Sequence, residues 1–319
     1  MLETTPKLIS AWSQNPYSES GKKGPSYGRE CALEVERLLK RLADERRAGN
    51  ENAVGTTVTY NYALAGWANS GEGGGAAQRA ENILMEMQDL YNRGDVNIQP
   101  NIDSFKYVIS AWANSGEKHA PQRAQRVLEW MLSVYELGEN DFASPDAECF
   151  AIVLNCYAKS GQVVAARKTE KILLWQERLY KAGYVVLQPQ TDHYNAVVTA
   201  WSLSDEDISV DRAYEILEHM ENLERAGMYD VRPNLTTYTN VIRACAKKGS
   251  RTYAMRAQDA LDRLERKYRK GDLSPDRFVY NFAIDAWTKS NDDLAPYKAK
   301  QILQRLIKIN AENGDELSP

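Results

Sequence analysis

The chain predicts an all-α protein of the α-solenoid class, and three observations lead there. An anchor aromatic recurs at Tyr60, Phe105, Phe150, Tyr194, Tyr238 and Tyr280, at intervals of 42 to 45 residues. Behind each anchor the apolar residues fall at i, i+4 and i+7, a helical period. A proline then resets the chain before the next copy, at Pro100, Pro145, Pro189, Pro233 and Pro275, because proline disfavours helix at the residue preceding it. Self-similarity at this period marks units that bury their apolar faces by stacking on neighbours.

The bulk numbers fit. Of the 319 residues, 43% are hydrophobic and 26% charged, ordinary for a folded soluble chain. No apolar run approaches the roughly 18 residues of a membrane span. The opening MLETTPKLISAW has no basic region followed by an apolar core, so it does not read as a secretory signal. Cys31, Cys149, Cys156 and Cys245 include no CxxC pair and read as small buried residues in a reducing compartment. The formal net charge is −4, whereas a nucleic-acid-binding domain is expected to be basic.

In chain order, residues 1–56 read as a divergent first unit. Leu8, Ile9 and Trp12 match Leu64, Trp67 and their neighbours, with Pro6 where the next copy has Asn61. A polar insert, Asn15 to Tyr27, precedes a second helix at about Arg29 to Ala48, striped by Val35, Leu38, Leu39 and Leu42. Six repeats follow, at 57–101, 102–146, 147–190, 191–234, 235–276 and 277–319. The pattern opens inside one motif and stops one residue short of completing another, which predicts a segment of a longer protein with uncapped ends.

Within each repeat the first helix carries its anchor triplet: Tyr60, Leu64, Trp67; Phe105, Ile109, Trp112; Phe150, Leu154, Tyr157; Tyr194, Val198, Trp201; Tyr238, Ile242, Cys245; Tyr280, Ile284, Trp287. Stops such as Ser70-Gly71, Ser115-Gly116 and Ser160-Gly161 end it. The second helix repeats a small residue and an apolar stripe, as in Ala80, Ile83, Leu84, Met87 and Ala213, Ile216, Leu217, Met220, and again in Ala299, Ile302, Leu303, Leu306. The repeated tryptophans sit on the inter-helix stripe and are expected in the core.

The phrases Val58-Thr59-Tyr60-Asn61, Thr236-Thr237-Tyr238-Thr239 and Tyr157-Ala158-Lys159-Ser160-Gly161, each followed by an Ala-rich second helix and a closing Pro-Asn or Pro-Asp, resemble the pentatricopeptide repeat family. The resemblance runs through the whole chain and draws its strength from recurrence. Tetratricopeptide repeats would place a Trp early in the first helix and an L-G-x-x-Y phrase, which are lacking here. HEAT and armadillo repeats have a closer period but lack the Tyr-Asn start and the Pro-Asp/Asn end. The units are longer than the family's own. The extra length falls in the second helix, so Gln88 to Arg93, Ser133 to Gly138 and Leu179 to Gly183 are expected to project from one edge.

The resemblance implies a right-handed superhelix that binds single-stranded RNA, about one base per repeat, in its concave groove. It also implies a mitochondrial or plastid location and a role in organelle RNA processing, stability or translation. Base reading would fall to the residue after the anchor and the residue after the closing proline. The pairs are Asn61 with Asn101, Lys106 with Asp146, Ala151 with Gln190, Asn195 with Asn234, and Thr239 with Asp276; Asn281 has no partner in this sequence. By analogy the Asn–Asn pairs favour pyrimidines and Thr239–Asp276 favours guanine, while the other two match no assigned combination. The same Asn and Asp residues could equally serve only as helix caps.

Bases in this family are sandwiched by residues two places before the anchor. Those are Val58, Asp103, Glu148, Asp192, Thr236 and Phe278 here, so Val58 and Phe278 are the apolar candidates and the three acids oppose phosphate. Lys159, Lys247 and Lys289 share one position late in the first helix and are the phosphate candidates. Arg79, Arg123, Lys168, Arg212, Arg256 and Lys298 form a second column, expected to pair with acids on the neighbouring unit.

Nothing in the sequence points to catalysis, a metal, a cofactor or a small-molecule substrate. His119, His193 and His219 share no metal-binding spacing, and there is no phosphate loop or paired nucleophile. Two partner classes remain: single-stranded RNA, and, for a scaffold, another polypeptide. The acidic balance favours the second and the Tyr-Asn and Pro-Asn/Asp pattern the first.

Overall fold

The computed structural model describes residues 25–50, 53 and 55–312. The helix expected around Leu8, Ile9 and Trp12, its Pro6, and the segment 313–319 lie outside the described residues. Among the described residues there are thirteen α-helices and no strands. The helices are α1 (Pro25–Arg47), α2 (Thr57–Ala68), α3 (Gly74–Asn92), α4 (Ile102–Asn114), α5 (Ala120–Glu136), α6 (Ala147–Lys159), α7 (Ala165–Lys181), α8 (Thr191–Leu203), α9 (Ser209–Arg225), α10 (Leu235–Lys248), α11 (Arg251–Arg269), α12 (Arg277–Thr288) and α13 (Ala295–Glu312). None is long and apolar enough to cross a membrane.

The chain divides into two compact units, Met1–Cys156 and Tyr157–Pro319. Each is a side-by-side stack of helical hairpins, the all-α solenoid arrangement. In the first unit Tyr60, Leu64 and Trp67 of α2, and Phe105, Ile109 and Trp112 of α4, are buried against Ala80, Leu84 and Met87 of α3 and Ala124, Leu128 and Met131 of α5. Helix α1 approaches α2 so closely that a Cβ on Gly66 would sit 2.9 Å from Ala32 Cβ. In the second unit Tyr194, Val198 and Trp201, then Tyr238, Ile242 and Cys245, pack on Ala213, Leu217 and Met220, then on Ala257, Leu261 and Leu264. Burying one such Leu contributes about 1.5–3 kcal/mol. Leu303, expected on the stripe of α13, is exposed with Ile307, because no further hairpin packs on that helix among the described residues.

The added length of the second helices does not simply project. α3, α5, α7 and α9 each end, and the chain reaches the next helix through a single 3₁₀ turn: Val96–Ile98, Asp141–Ala143, Val185–Leu187 and Tyr229–Val231. Each turn tucks one apolar side chain (Ile98, Ala143, Leu187 or Val231) back into the core. The first residue of some helices secures this connector: Thr57 Oγ1 donates to Gln99 O at 2.7 Å, and Thr191 Oγ1 to Arg232 O at 2.8 Å. All four cysteines are free thiols, with Cys149, Cys156 and Cys245 buried.

Candidate functional site

Each first helix begins at a capping residue just past the closing proline, so the residue that caps one helix lies against the exposed face of the helix before it. Asn101 Oδ1 accepts from Ser104 N at 3.1 Å, Asn234 Oδ1 from Thr237 N at 3.2 Å, Asp146 Oδ1 from Cys149 N at 3.1 Å, and Asp276 Oδ1 from Val279 N at 3.0 Å. Capping is therefore real at these positions.

At the two Asn–Asn positions the cap is joined to the anchor-following Asn of the helix before it; Asn61, Asn101 and Asn234 are half-buried and Asn195 is buried. A backbone N–H can only donate, so Ser104 N–H forces Asn101 to face it with Oδ1. Asn61 must then present Nδ2 to that oxygen, at 3.0 Å, and its own Oδ1 accepts the Ser104 hydroxyl at 2.6 Å. Asn195, Asn234 and Thr237 repeat the circuit in the second unit, with Asn195 Nδ2 to Asn234 Oδ1 at 3.2 Å and Thr237 Oγ1 to Asn195 Oδ1 at 2.6 Å. The oxygens are engaged within the chain, while Nδ2 of Asn101 and of Asn234 has no partner among the described residues. Each circuit offers a ligand N–H donors.

The other pairs differ chemically. Thr239 Oγ1 donates to Leu235 O at 2.8 Å and the cap uses only one oxygen of Asp276, which leaves lone pairs on both side chains. This pair offers acceptors. Lys106 bonds Asp146 at 2.8 Å and also reaches Glu148. Burial alone would lower the Lys106 pKa, but these two carboxylates hold it above its ordinary range. Burial would raise Asp146, yet Lys106 and the Cys149 N–H keep it below the usual carboxylate value. The pair is closed on itself. Ala151 brings no polar side-chain atom to α6. Gln190 is exposed, and its backbone N–H donates to His193 Nδ1 at 3.1 Å. Asn281 is exposed on α12.

Val58 and Phe278, 57% and 52% exposed, stand at the second position of α2 and α12, and Asp103, Glu148, Asp192 and Thr236 are exposed at the same position of their helices. Arg277 stacks over the Phe278 ring, 5.1 Å from its centroid. Of the three phosphate candidates, Lys247 is held by Asp205 at 2.6 Å and by the carbonyls of Leu203 and Ser204, and Lys289 by Asp285 at 2.5 Å. Lys159 is exposed and makes no ion pair among the described residues.

Four of the six cations in the second-helix column pair as expected, while Lys168 and Lys298 make no ion pair among the described residues. Arg79 meets Glu36, Arg123 meets Glu81 at 2.8 Å, Arg212 meets Glu170, and Arg256 meets Asp211, each acid lying one hairpin back. The same acids accept from the anchor-stripe tryptophans: Trp67 Nε1 to Glu36 at 2.6 Å, Trp112 to Glu81 at 2.7 Å and Trp201 to Glu170 at 3.0 Å. Trp287 Nε1, by contrast, is buried without a partner. Arg256 stands 31 residues before it, the spacing that supplies an acid to the other three.

Sequence reasoning missed Ser104 and Thr237. The signal available was a hydroxyl at the third helical position in the two repeats that follow an Asn-bearing anchor. Among the described residues no cluster of three or more His, Cys, Asp or Glu side chains could hold a metal ion.

The family model described as the pentatricopeptide repeat domain matches residues 216–290, which hold α10, α11, α12 and the end of α9. Over that stretch the resemblance read from the sequence is shown. Among solved structures the chain is similar to the crystal structure of the pentatricopeptide repeat protein PPR10 from maize, with 18% identity and a TM-score of 0.48. That similarity covers 98% of this chain and 43% of the maize chain, so the chain spans less than half of that protein's length. A search of the curated proteins finds no match.

Proposed function

We propose that this chain, which carries pentatricopeptide repeats, binds single-stranded RNA along the exposed face of its first helices, with no catalytic role, and that it serves mitochondrial or plastid RNA processing, stability or translation. The observation that carries the reading is the pair of Asn–Asn circuits, whose oxygens are consumed internally while Nδ2 of the half-buried Asn101 and Asn234 has no partner among the described residues. Such donors suit base edges rich in acceptors, such as the carbonyls of pyrimidines. The Thr239–Asp276 pair presents the opposite polarity and suits the N–H edge of guanine. Base chemistry thus alternates between adjacent sites of the second unit, which a merely structural set of caps would not require.

The test is fluorescence anisotropy of residues 1–319 with a randomised short RNA pool over a range of salt, beside an Asn195→Ala/Thr239→Ala variant. Micromolar or tighter binding that weakens with salt, and a base preference lost in the variant, is the expected result. Equal absence of binding in both proteins at low salt overturns the reading.

A second reading, a scaffold for another polypeptide, draws on the exposed apolar side chains Val96, Leu137 and Phe142 around the connectors of the first unit. It predicts that Val96→Ser/Phe142→Ser abolishes capture of a protein partner while RNA binding is unchanged.

A further inference from the structure

The inference deepens the RNA reading, on which it rests, by locating a phosphate contact absent from the lysine column. Five residues beyond each anchor the chain has Ala65, Ser110, Asn155, Thr199, Arg243 and Asp285. Arg243 is the one cation of that column. It lies one turn past Thr239 on α10, and the i, i+4 relation keeps the two on one face, roughly 6 Å apart along the axis. Its Nη2 donates to Ser202 Oγ at 2.7 Å. Ser202 lies two turns past Asn195 on α8, so the guanidinium–hydroxyl pair shares the face of both reading pairs in this unit.

What marks Arg243 is the lack of a counter-ion combined with a buried, unpartnered Nε, whereas Arg277, also half-buried without a carboxylate, stacks on Phe278. Arg123, Arg212, Arg256, Arg263 and Arg305 all meet carboxylates. Arg243 is half-buried and meets none among the described residues, where Nη1 has no partner and Nε is buried without one. The carboxylate nearest in register, Asp285 at the same position of α12, is taken by Lys289. Burial lowers the Arg243 pKa, whereas Arg256, Arg263 and Arg305 are raised by their acids despite burial. A desolvated cation without a counter-charge destabilises the fold, and such a local cost is expected where a ligand supplies the missing charge.

We propose that Arg243, positioned by Ser202, is an anion site for a backbone phosphate of the single strand whose bases meet Asn195–Asn234 and Thr239–Asp276. The phosphate oxygens would accept from the outward edge of the guanidinium, the geometry for which an Arg fork suits better than a Lys point charge.

The experiment compares wild type, Arg243→Met, Arg243→Lys and a control, Arg266→Met, whose side chain is exposed on α11 and bonds only its own helix. Thermal unfolding and RNA anisotropy across salt are measured for each. Arg243→Met is expected to raise Tm while weakening binding about equally for all sequences, with the salt slope reduced by about 0.7, the value for one phosphate on a single strand. Arg243→Lys should bind between the two, and the control should match wild type. A lower Tm for Arg243→Met with unchanged affinity and slope overturns the proposal and makes the residue structural. If wild type binds no RNA, the RNA reading fails by itself. Pyrophosphate, compared with chloride at equal ionic strength, then decides the anion site: a rise in Tm confined to proteins that keep Arg243 upholds it, and no rise overturns it.

Discussion

Ser104 Oγ donates to Asn61 Oδ1 at 2.6 Å, and through this bond a helix cap in one repeat sets which way an amide faces in the repeat before it. The fixed donor at the start of the chain of bonds is the Ser104 backbone N–H. Every later orientation follows from it, and Thr237 does the same for Asn195.

Removing the hydroxyl should therefore affect reading more than binding. In Ser104→Ala and Thr237→Val the side-chain half of the cap survives, but the reciprocal bond from the Asn101 or Asn234 N–H to the hydroxyl is lost, and Asn61 or Asn195 loses the partner of its oxygen and can rotate. Each variant is expected to lose about 1 kcal/mol of stability in urea unfolding. Affinity for a mixed RNA pool should stay within a few-fold while the base preference at that repeat flattens. A preference unchanged in both variants would show that the hydroxyls do not orient the amides.

The hairpins of the first unit are joined by a shared carboxylate. Glu81 accepts from Trp112 Nε1 at 2.7 Å and from Arg123 at 2.8 Å, and Arg123 lies 4.9 Å from the Trp112 ring centroid. Glu81→Ala should cost about 1.5–3 kcal/mol, the range for hydrogen bonds to a charged group. Combined with Trp112→Phe, the losses should be non-additive by at least about 0.5 kcal/mol, as for residues in direct contact. Additive losses would mean that the two residues stabilise the unit independently.

The helical period, the proline resets and the anchor aromatics were all legible, since each repeats within a short window of sequence. The pairing of the Arg79, Arg123 and Arg212 column was legible too, because regular cations on a solenoid face need a regular counter-charge. Trp112–Glu81 was not: its partners lie 31 residues apart on different hairpins, although Glu36/Trp67, Glu81/Trp112 and Glu170/Trp201 keep one spacing that could have exposed it. The 3₁₀ turns carry no period of their own, so the extra length read as added turns of the second helix, as at Leu179 to Gly183, and the turn at Val185–Leu187 was not expected. Asn101 and Asn234 read as either cap or reader because a side-chain amide has two ends, and the fold uses one for each.

Acid should release the Lys106–Asp146 contact. The folded pKa of Asp146 is depressed, so its contribution is present above the ordinary aspartate value of about 3.9 and fades as pH falls through the lower folded value. Wild type should exceed Asp146→Asn in stability by up to about 1 kcal/mol near neutral pH, a part-exposed pair being screened by solvent. That gap should narrow below pH of about 4. A gap that stays constant on acidification would assign the effect to the cap alone.

Alkali should attack a different set of contacts. Tyr194 donates to Glu177 at 2.7 Å, Tyr238 to Glu221 at 2.8 Å and Tyr280 to Glu265 at 3.2 Å, each anchor hydroxyl reaching the second helix of the preceding hairpin. Burial, then the adjacent carboxylate, raises all three phenols well above the ordinary value. A raised folded pKa contributes stability that is complete below the unfolded value of about 10 and is lost as pH climbs from there toward the folded one. Tyrosinate absorbance of these anchors should therefore appear together with the loss of helical circular dichroism. Replacing all three anchors with Phe removes both the hydrogen bonds and the ionisation, so the triple variant should be less stable at neutral pH yet lose less of that stability on going to alkali. Full tyrosinate formation before any loss of helix would contradict the burial of these hydroxyls between hairpins.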